Sequence, residues 1–438
     1  MRDTTVHEYI TYTKLTDSGP YITKLILKLP CTVFTGSVAF NTFSVFVRRR
    51  HRKTKEVIRH ARKNFSPEAV TDTADGLSQG YCKVVATYPC DKTGVAAYSS
   101  NYLALDLSYG PLEPLICRIA PASKYLNDFV DTEICITQTA PIPGAPECMG
   151  LVFNTCAADI RPALEGWQFN EKLSDVQPLR YGWFSPQKGT AQKYPLLVWL
   201  HGAGGGGDDP RVPVQNNRVT SFSSQLGQQK LDTAWVLVPQ CPTLWMDDGK
   251  GTPLFVNNES MYIQAVKHTV DFFIAQHAEE IDCDRVYVAG SSNGGFMAVM
   301  QAITYPHFYA AAVPVCEAVL TDKLMPKDID ALKEIPLWFV HAKNDFVVDP
   351  QKTVVPLYKK LIAAGAKNLH FTYWDNIQDQ TGVFINPNHS PYQYIGHFAW
   401  VPTLNDECKL DYNGQPVTVD GCSVGIFEWL AHQRKRRR

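Results

Sequence analysis

The chain is 438 residues long, 45% of them hydrophobic and 19% charged, with a formal net charge of −1 at pH 7. That length exceeds what one hydrophobic core normally fills, so two domains are expected, and the composition excludes collagen-like and disordered classes. Near-neutral charge also excludes a general electrostatic pull toward nucleic acid or an anionic membrane.

The start, Met1-Arg2-Asp3-Thr4-Thr5-Val6-His7, has no apolar run of the kind a secretion signal needs, and no later stretch approaches a membrane span. A cytoplasmic protein is expected on that ground, with export left open. Up to about residue 140 the chain shows short alternating runs between turn residues, among them 21–29, 43–47, 82–88 and 102–107. Period-two patterning at this spacing predicts a small all-β sandwich over 1–140. Two basic runs interrupt the neutral average, Arg48-Arg49-Arg50-His51-Arg52-Lys53 and Arg434-Lys435-Arg436-Arg437-Arg438. Runs of this kind are usually solvated faces or tails, and a polyanion contact is the lesser reading. Twelve cysteines are scattered from Cys31 to Cys422 without any Cys-x-x-Cys pair. They are expected to be mostly buried thiols, a Cys82–Cys90 disulfide being the alternative.

Pro141-Ile142-Pro143-Gly144-Ala145-Pro146 opens a linker and transition expected over 141–178. From 179 to 438 continuous apolar runs alternate with amphipathic segments. The runs 196–200, 235–238, 286–289, 311–315 and 337–340 suit parallel strands covered on both faces. Met261, Tyr262, Ala265, Val266, Val270 and Phe273 fall at helical spacing between two of them. The pattern predicts an α/β domain with a doubly wound, mostly parallel sheet.

In such sheets the chemistry gathers at the carboxyl ends of the strands. Gly290-Ser291-Ser292-Asn293-Gly294 follows one strand and leads into a predicted helix. A sharp strand-to-helix turn needs small neighbours for a strained serine, so Ser292 is the candidate nucleophile; Ser291 lacks a glycine two residues before it. His201-Gly202-Ala203-Gly204-Gly205-Gly206-Gly207 follows another strand and can present backbone amides to an oxyanion. The expected donors are Ala203 and Asn293, with Gly204 as substitute, and His201 reads as structural. Asp345, after the strand through Val340, is the candidate acid, with Asp349 and Asp375 as alternatives. Chain order then puts the base after Asp345. His397 is the first candidate, and His389 in the same long loop the second. Trp245, Glu317, Phe346 and Phe398 are candidate substrate-pocket residues. No His-x-x-x-His or Cys-x-x-Cys spacing indicates a metal, and no cofactor motif is present.

With these residues in hand the chain resembles bacterial esterases of the EstA type, α/β-hydrolases with an N-terminal immunoglobulin-like domain. The blocks Trp199-Leu200-His201-Gly202-Ala203-Gly204, Val238-Pro239-Gln240-Cys241-Pro242, 335–342 and 397–402 resemble that family's in the same order. The resemblance implies Ser292, Asp345 and His397 as a catalytic triad, and so favours His397 over His389. It implies a carboxylic-ester hydrolase, and the leading reading is an esterase that forms an acyl-enzyme intermediate and acts on short acyl or aryl esters, small-molecule or polymeric. Asn293 and Glu317 depart from the family pattern beside the expected acyl pocket. A serine peptidase resembling the prolyl oligopeptidase group is the second reading, and a non-catalytic binding protein the third. The β domain keeps two roles, shading the active site or carrying a homo-oligomer contact.

Overall fold

A computed structural model describes residues 7–59, 77–175, 177–187 and 193–435. Arg436, Arg437 and Arg438 of the basic tail, and Met1 to Val6 of the start, lie outside the described residues. The chain divides into two compact units, one of residues 1–122 with 128–165, the other of 123–127 with 166–438.

The first unit is built of strands β1 (His7–Thr16), β2 (Gly19–Phe34), β3 (Phe43–His51), β4 (Gln79–Cys82), β5 (Val84–Cys90), β6 (Ser99–Leu107), β7 (Ile119–Pro121), β8 (Asn127–Gln138) and β9 (Val152–Ile160). Their hydrogen bonding follows one path, β4-β3-β8-β9-β1-β2-β6-β5, with β7 on β8. Alternation sets the faces: Phe43, Val45 and Val47 of β3 point into the same core as Leu25, Leu27 and Leu29 of β2. The sheet is mixed, since β1 pairs with β2 antiparallel and with β9 parallel. Strand β9 lies in the stretch expected as linker. Its side chains are nearly all exposed, so no hydrophobic alternation marked it.

The first basic run is accounted for locally. Arg50 pairs with Glu133 at 2.6 Å, Arg52 with Asp128 at 3.0 Å and Lys55 with Asp131 at 2.5 Å, so acids on β8 answer bases on and after β3. Arg49 turns inward, donating to Ser78 Oγ and the Ile119 carbonyl. The cysteine expectation is corrected: Cys82 and Cys90 are free thiols, and Cys31 is bonded to Cys148, 117 residues away. Sequence spacing could not show this, because Cys31 in β2 and Cys148 between β8 and β9 meet only once the unit has folded. Of the ten free thiols five are buried, namely Cys90, Cys117, Cys241, Cys316 and Cys408.

The second unit holds an eight-stranded sheet, β10 (Trp167–Asn170), β11 (Arg180–Phe184), β12 (Tyr194–Leu200), β13 (Trp235–Gln240), β14 (Ile281–Ser291), β15 (Ala311–Val315), β16 (Leu337–Ala342) and β17 (Leu369–Trp374), in the order β10-β11-β13-β12-β14-β15-β16-β17. The sheet is mixed rather than purely parallel: β10, β11 and β13 pair antiparallel at one edge, and β13 through β17 run parallel. Every residue of β12, β13, β15 and β16 is buried, as strands covered on both faces require. The helices are α1 (Arg211–Asn216), α2 (Gln225–Lys230), α3 (Ile263–Gln276), α4 (Asn293–Thr304), α5 (Pro326–Leu332), α6 (Val354–Ala363), α7 (Trp400–Leu404) and α8 (Ile426–Ala431). Val266, Val270 and Phe273 of α3, Phe296 and Val299 of α4 and Leu357 and Leu361 of α6 share one core with the strands. Among the described residues no helix is long and apolar enough to cross a membrane.

The connection from β12 leads to β13 on one side, whereas that from β14 leads to β15 on the other. Between the carboxyl ends of β12 and β14 the winding therefore reverses, and such a point leaves a crevice for a ligand.

Candidate active site

Ser292 sits at the end of β14 with φ 57° and ψ −118°, an unfavourable conformation for a residue with a Cβ. Tight packing holds it there. A Cβ on Gly290 would come within 2.5 Å of the Gly294 carbonyl and 2.6 Å of the Leu200 carbonyl, and one on Gly294 would overlap Leu200 directly. The amide of Ser292 donates to the Val315 carbonyl at 2.8 Å, anchoring the turn to β15. Ser292 is thereby partly exposed, whereas its neighbour Ser291 is fully buried with an unpartnered hydroxyl.

The turn brings Ser292 Oγ to 2.8 Å from His397 Nε2, and His397 Nδ1 lies 2.8 Å from Asp345 Oδ2. A carboxylate oxygen only accepts, so Nδ1 carries the hydrogen and Nε2 keeps the lone pair that faces the serine hydroxyl. Asp345 Oδ1 accepts the amides of Val347 at 2.8 Å and Val348 at 3.0 Å. Burial alone would raise the Asp345 pKa, but hydrogen bonds from His341 and His397 hold it well below the usual carboxylate range. The alternatives lie elsewhere. His389 is on an exposed turn, Asp349 is exposed and caps the amide of Gln351, and Asp375 is exposed beside Lys343.

Facing Ser292 across the crevice is the glycine-rich loop after β12. The amides of Ala203, Gly204 and Asn293 donate to no backbone carbonyl among the described residues, which leaves them available to a negative charge. His201 shapes this loop, as expected of a structural residue. Its Nδ1 donates to the Gly202 carbonyl at 2.7 Å and its Nε2 accepts the Cys241 amide at 2.9 Å. Complete burial pushes its pKa down to about 4, so the ring is neutral in this arrangement.

The four pocket candidates fall into two pairs. Trp245 is fully buried, its indole N–H donating to the His201 carbonyl at 3.1 Å, and so supports the loop instead of facing a ligand. Glu317 is also fully buried; Oε2 accepts the Val319 amide at 2.6 Å and Oε1 has no partner. Its departure from the family pattern beside the expected acyl pocket suggested a lining role, but the chain turns it behind Gly295 of α4. Burial pushes its carboxyl up to about 8, against the weaker opposing effect of the Val319 amide. Phe346, beside Asp345, is 70% exposed. Phe398 is half-buried and packs on Trp400 with centroids 4.4 Å apart, and Trp400 in turn meets His397 edge-on at 5.7 Å.

Asn293 makes a second contact, and one further residue, His341, joins the site. Asn293 Oδ1 accepts the Met246 amide at 3.0 Å, tying the start of α4 to the loop after β13. His341, at the end of β16, places Nε2 3.0 Å from Asp345 Oδ2. Its spacing of four residues before the acid was the available signal. Among the described residues no cluster of three histidine, cysteine or acidic side chains could hold a metal.

Residues 8–147 match the family described as esterase Ig-like N-terminal domain, and residues 185–378 match the phospholipase/carboxylesterase family. A probable carboxylesterase of Oryza sativa subsp. japonica is 24% identical over 176 residues, 36% of this chain and 71% of that protein. The crystal structure of a thermostable esterase superposes with a TM-score of 0.69 at 21% identity, covering 97% of this chain and 99% of the other. An acylaminoacyl peptidase of Pyrococcus horikoshii covers 56% of this chain and 40% of its own at 12% identity, with a TM-score of 0.36.

Proposed function

We propose that this carboxylic-ester hydrolase, whose residues 8–147 match the esterase Ig-like N-terminal domain and residues 185–378 the phospholipase/carboxylesterase family, works through a Ser292–His397–Asp345 triad and an acyl-enzyme intermediate. The observation that carries the proposal is the unbroken chain of 2.8 Å contacts from Ser292 Oγ through His397 to Asp345 Oδ2.

The geometry supports the following steps. Ser292 Oγ attacks the acyl carbon while His397 Nε2 takes its proton. The carbonyl oxygen gains negative charge as the tetrahedral centre forms, and the free amides of Asn293 and Ala203, or Gly204, are the donors to receive it. Collapse breaks the bond to the alcohol oxygen, which leaves with the proton from His397. Water then attacks the acyl-serine, giving its proton to His397, and the acid departs as Ser292 recovers its hydrogen. Asp345 stays ionised throughout and steadies the imidazolium.

Short acyl or aryl esters are the proposed substrates. Supporting this class is the aromatic surface of Phe398 and Trp400 beside His397, which suits a small apolar group. Turnover of p-nitrophenyl esters of graded acyl length by wild type and Ser292→Ala, with fluorophosphonate labelling of both, is the test. Activity highest on the shortest acyl chains and lost with Ser292→Ala is the expected result. Undiminished labelling of Ser292→Ala, or a marked preference for a prolyl amide, overturns the proposal.

A further inference from the structure

We propose that His341 is a positioning residue for this reaction, a neutral imidazole whose Nε2–H braces the Asp345 carboxylate and the turn that carries it. This rests on the triad reading above.

His341 is the fifth residue of β16 and has no exposed surface, nor does the Asp345 side chain. Its Nε2 lies 3.1 Å from the Val348 carbonyl and 3.0 Å from Asp345 Oδ2. Both partners are acceptors, so Nε2 must carry a hydrogen, shared between them. Nδ1 is buried and has no hydrogen-bond partner among the described residues. A second proton there would find no acceptor, so the ring is neutral, and its tautomer is fixed opposite to that of His397. Burying a bare ring nitrogen is unfavourable, and an apolar side chain would fill the same space without it. The feature that only histidine supplies here is the donor at Nε2.

That donor completes a symmetrical set. Asp345 Oδ1 accepts two backbone amides from its own turn, while Oδ2 accepts one imidazole N–H from His397 and faces a second from His341. The same N–H also holds the Val348 carbonyl, whose residue supplies one of the amides on Oδ1. His341 thus links the carboxylate and its supporting turn to the end of β16, a strand paired on both sides. Without it the carboxylate can rotate away from His397 Nδ1, and the imidazole loses its aim at Ser292.

Steady-state kinetics on p-nitrophenyl butyrate for His341→Phe, His341→Gln and Ser292→Ala decide the question. The proposal expects His341→Phe to lower kcat about 10- to 100-fold with KM unchanged, the loss typical of a small misplacement. His341→Gln, which keeps an N–H at similar reach, should recover most of it. Equal kcat in His341→Phe and wild type, or equal loss in a folded His341→Gln, overturns the proposal. If His341→Phe does not fold, 15N-histidine NMR of the wild type decides: the Nε2–H tautomer supports the role, and an Nδ1–H or charged ring overturns it. Substantial turnover by Ser292→Ala would instead sink the triad reading on which the role depends.

Discussion

Asp345→Asn changes one atom and has a large expected effect, because every neighbour of this carboxylate is a donor. The amides of Val347 and Val348 point at Oδ1, and His397 Nδ1 and His341 Nε2 at Oδ2. An asparagine must turn its NH2 toward one pair. Facing the backbone amides, which cannot reorient, it would break both bonds to the turn. Facing the imidazoles, it needs an acceptor, so His397 would shift its hydrogen from Nδ1 to Nε2. Nε2 would then meet Ser292 Oγ as a donor and could not take its proton. A wrong tautomer of the triad histidine is worth about 10⁴-fold in kcat, or about 5 kcal/mol in the barrier. The assay is kcat/KM for p-nitrophenyl butyrate between pH 5 and 9, with circular dichroism as a control for folding. A folded Asp345→Asn variant within tenfold of wild type would refute the reasoning.

Glu317→Gln tests the buried carboxyl. Its folded pKa of about 8 lies above the ordinary 4.5, so the folded chain keeps a proton that the unfolded chain has lost between those values. Stability is therefore lost as pH rises from 4.5 to 8, and removing the titration should raise stability at pH 8 by about 4 kcal/mol more than at pH 4.5; equal shifts at both pH values, read by urea unfolding, would contradict this. Gly294→Ala puts a methyl group into the Leu200 and His201 carbonyls, for which overpacking of about 3 kcal/mol and loss of activity are expected; a variant with unchanged Tm would refute the close approach. Replacing Cys31 and Cys148 by alanine opens a loop of 117 residues and should cost about 2–4 kcal/mol of stability in oxidising buffer, with no effect under reducing agent; equal denaturation midpoints in oxidising buffer would deny the bond.

Much of the second unit is legible in the chain itself. Strands buried on both faces need uninterrupted apolar runs, and 196–200, 235–238, 311–315 and 337–340 supply them where β12, β13, β15 and β16 lie. The elbow is legible for a similar local reason, since only glycine fits at Gly290 and Gly294 beside a strained Ser292. Strand β9 is not legible, because a strand with almost no buried face carries no period. Local pattern also could not reveal the partner of Cys31 or the burial of Trp245 and Glu317. Each of these depends on residues far apart in the chain, or on which way a side chain turns once the sheet is packed. Periodicity and glycine placement are properties of neighbours along the chain, and they determine strand, helix and sharp turn. Which histidine meets which carboxylate is settled by the order of strands in the sheet, and so by the tertiary structure alone.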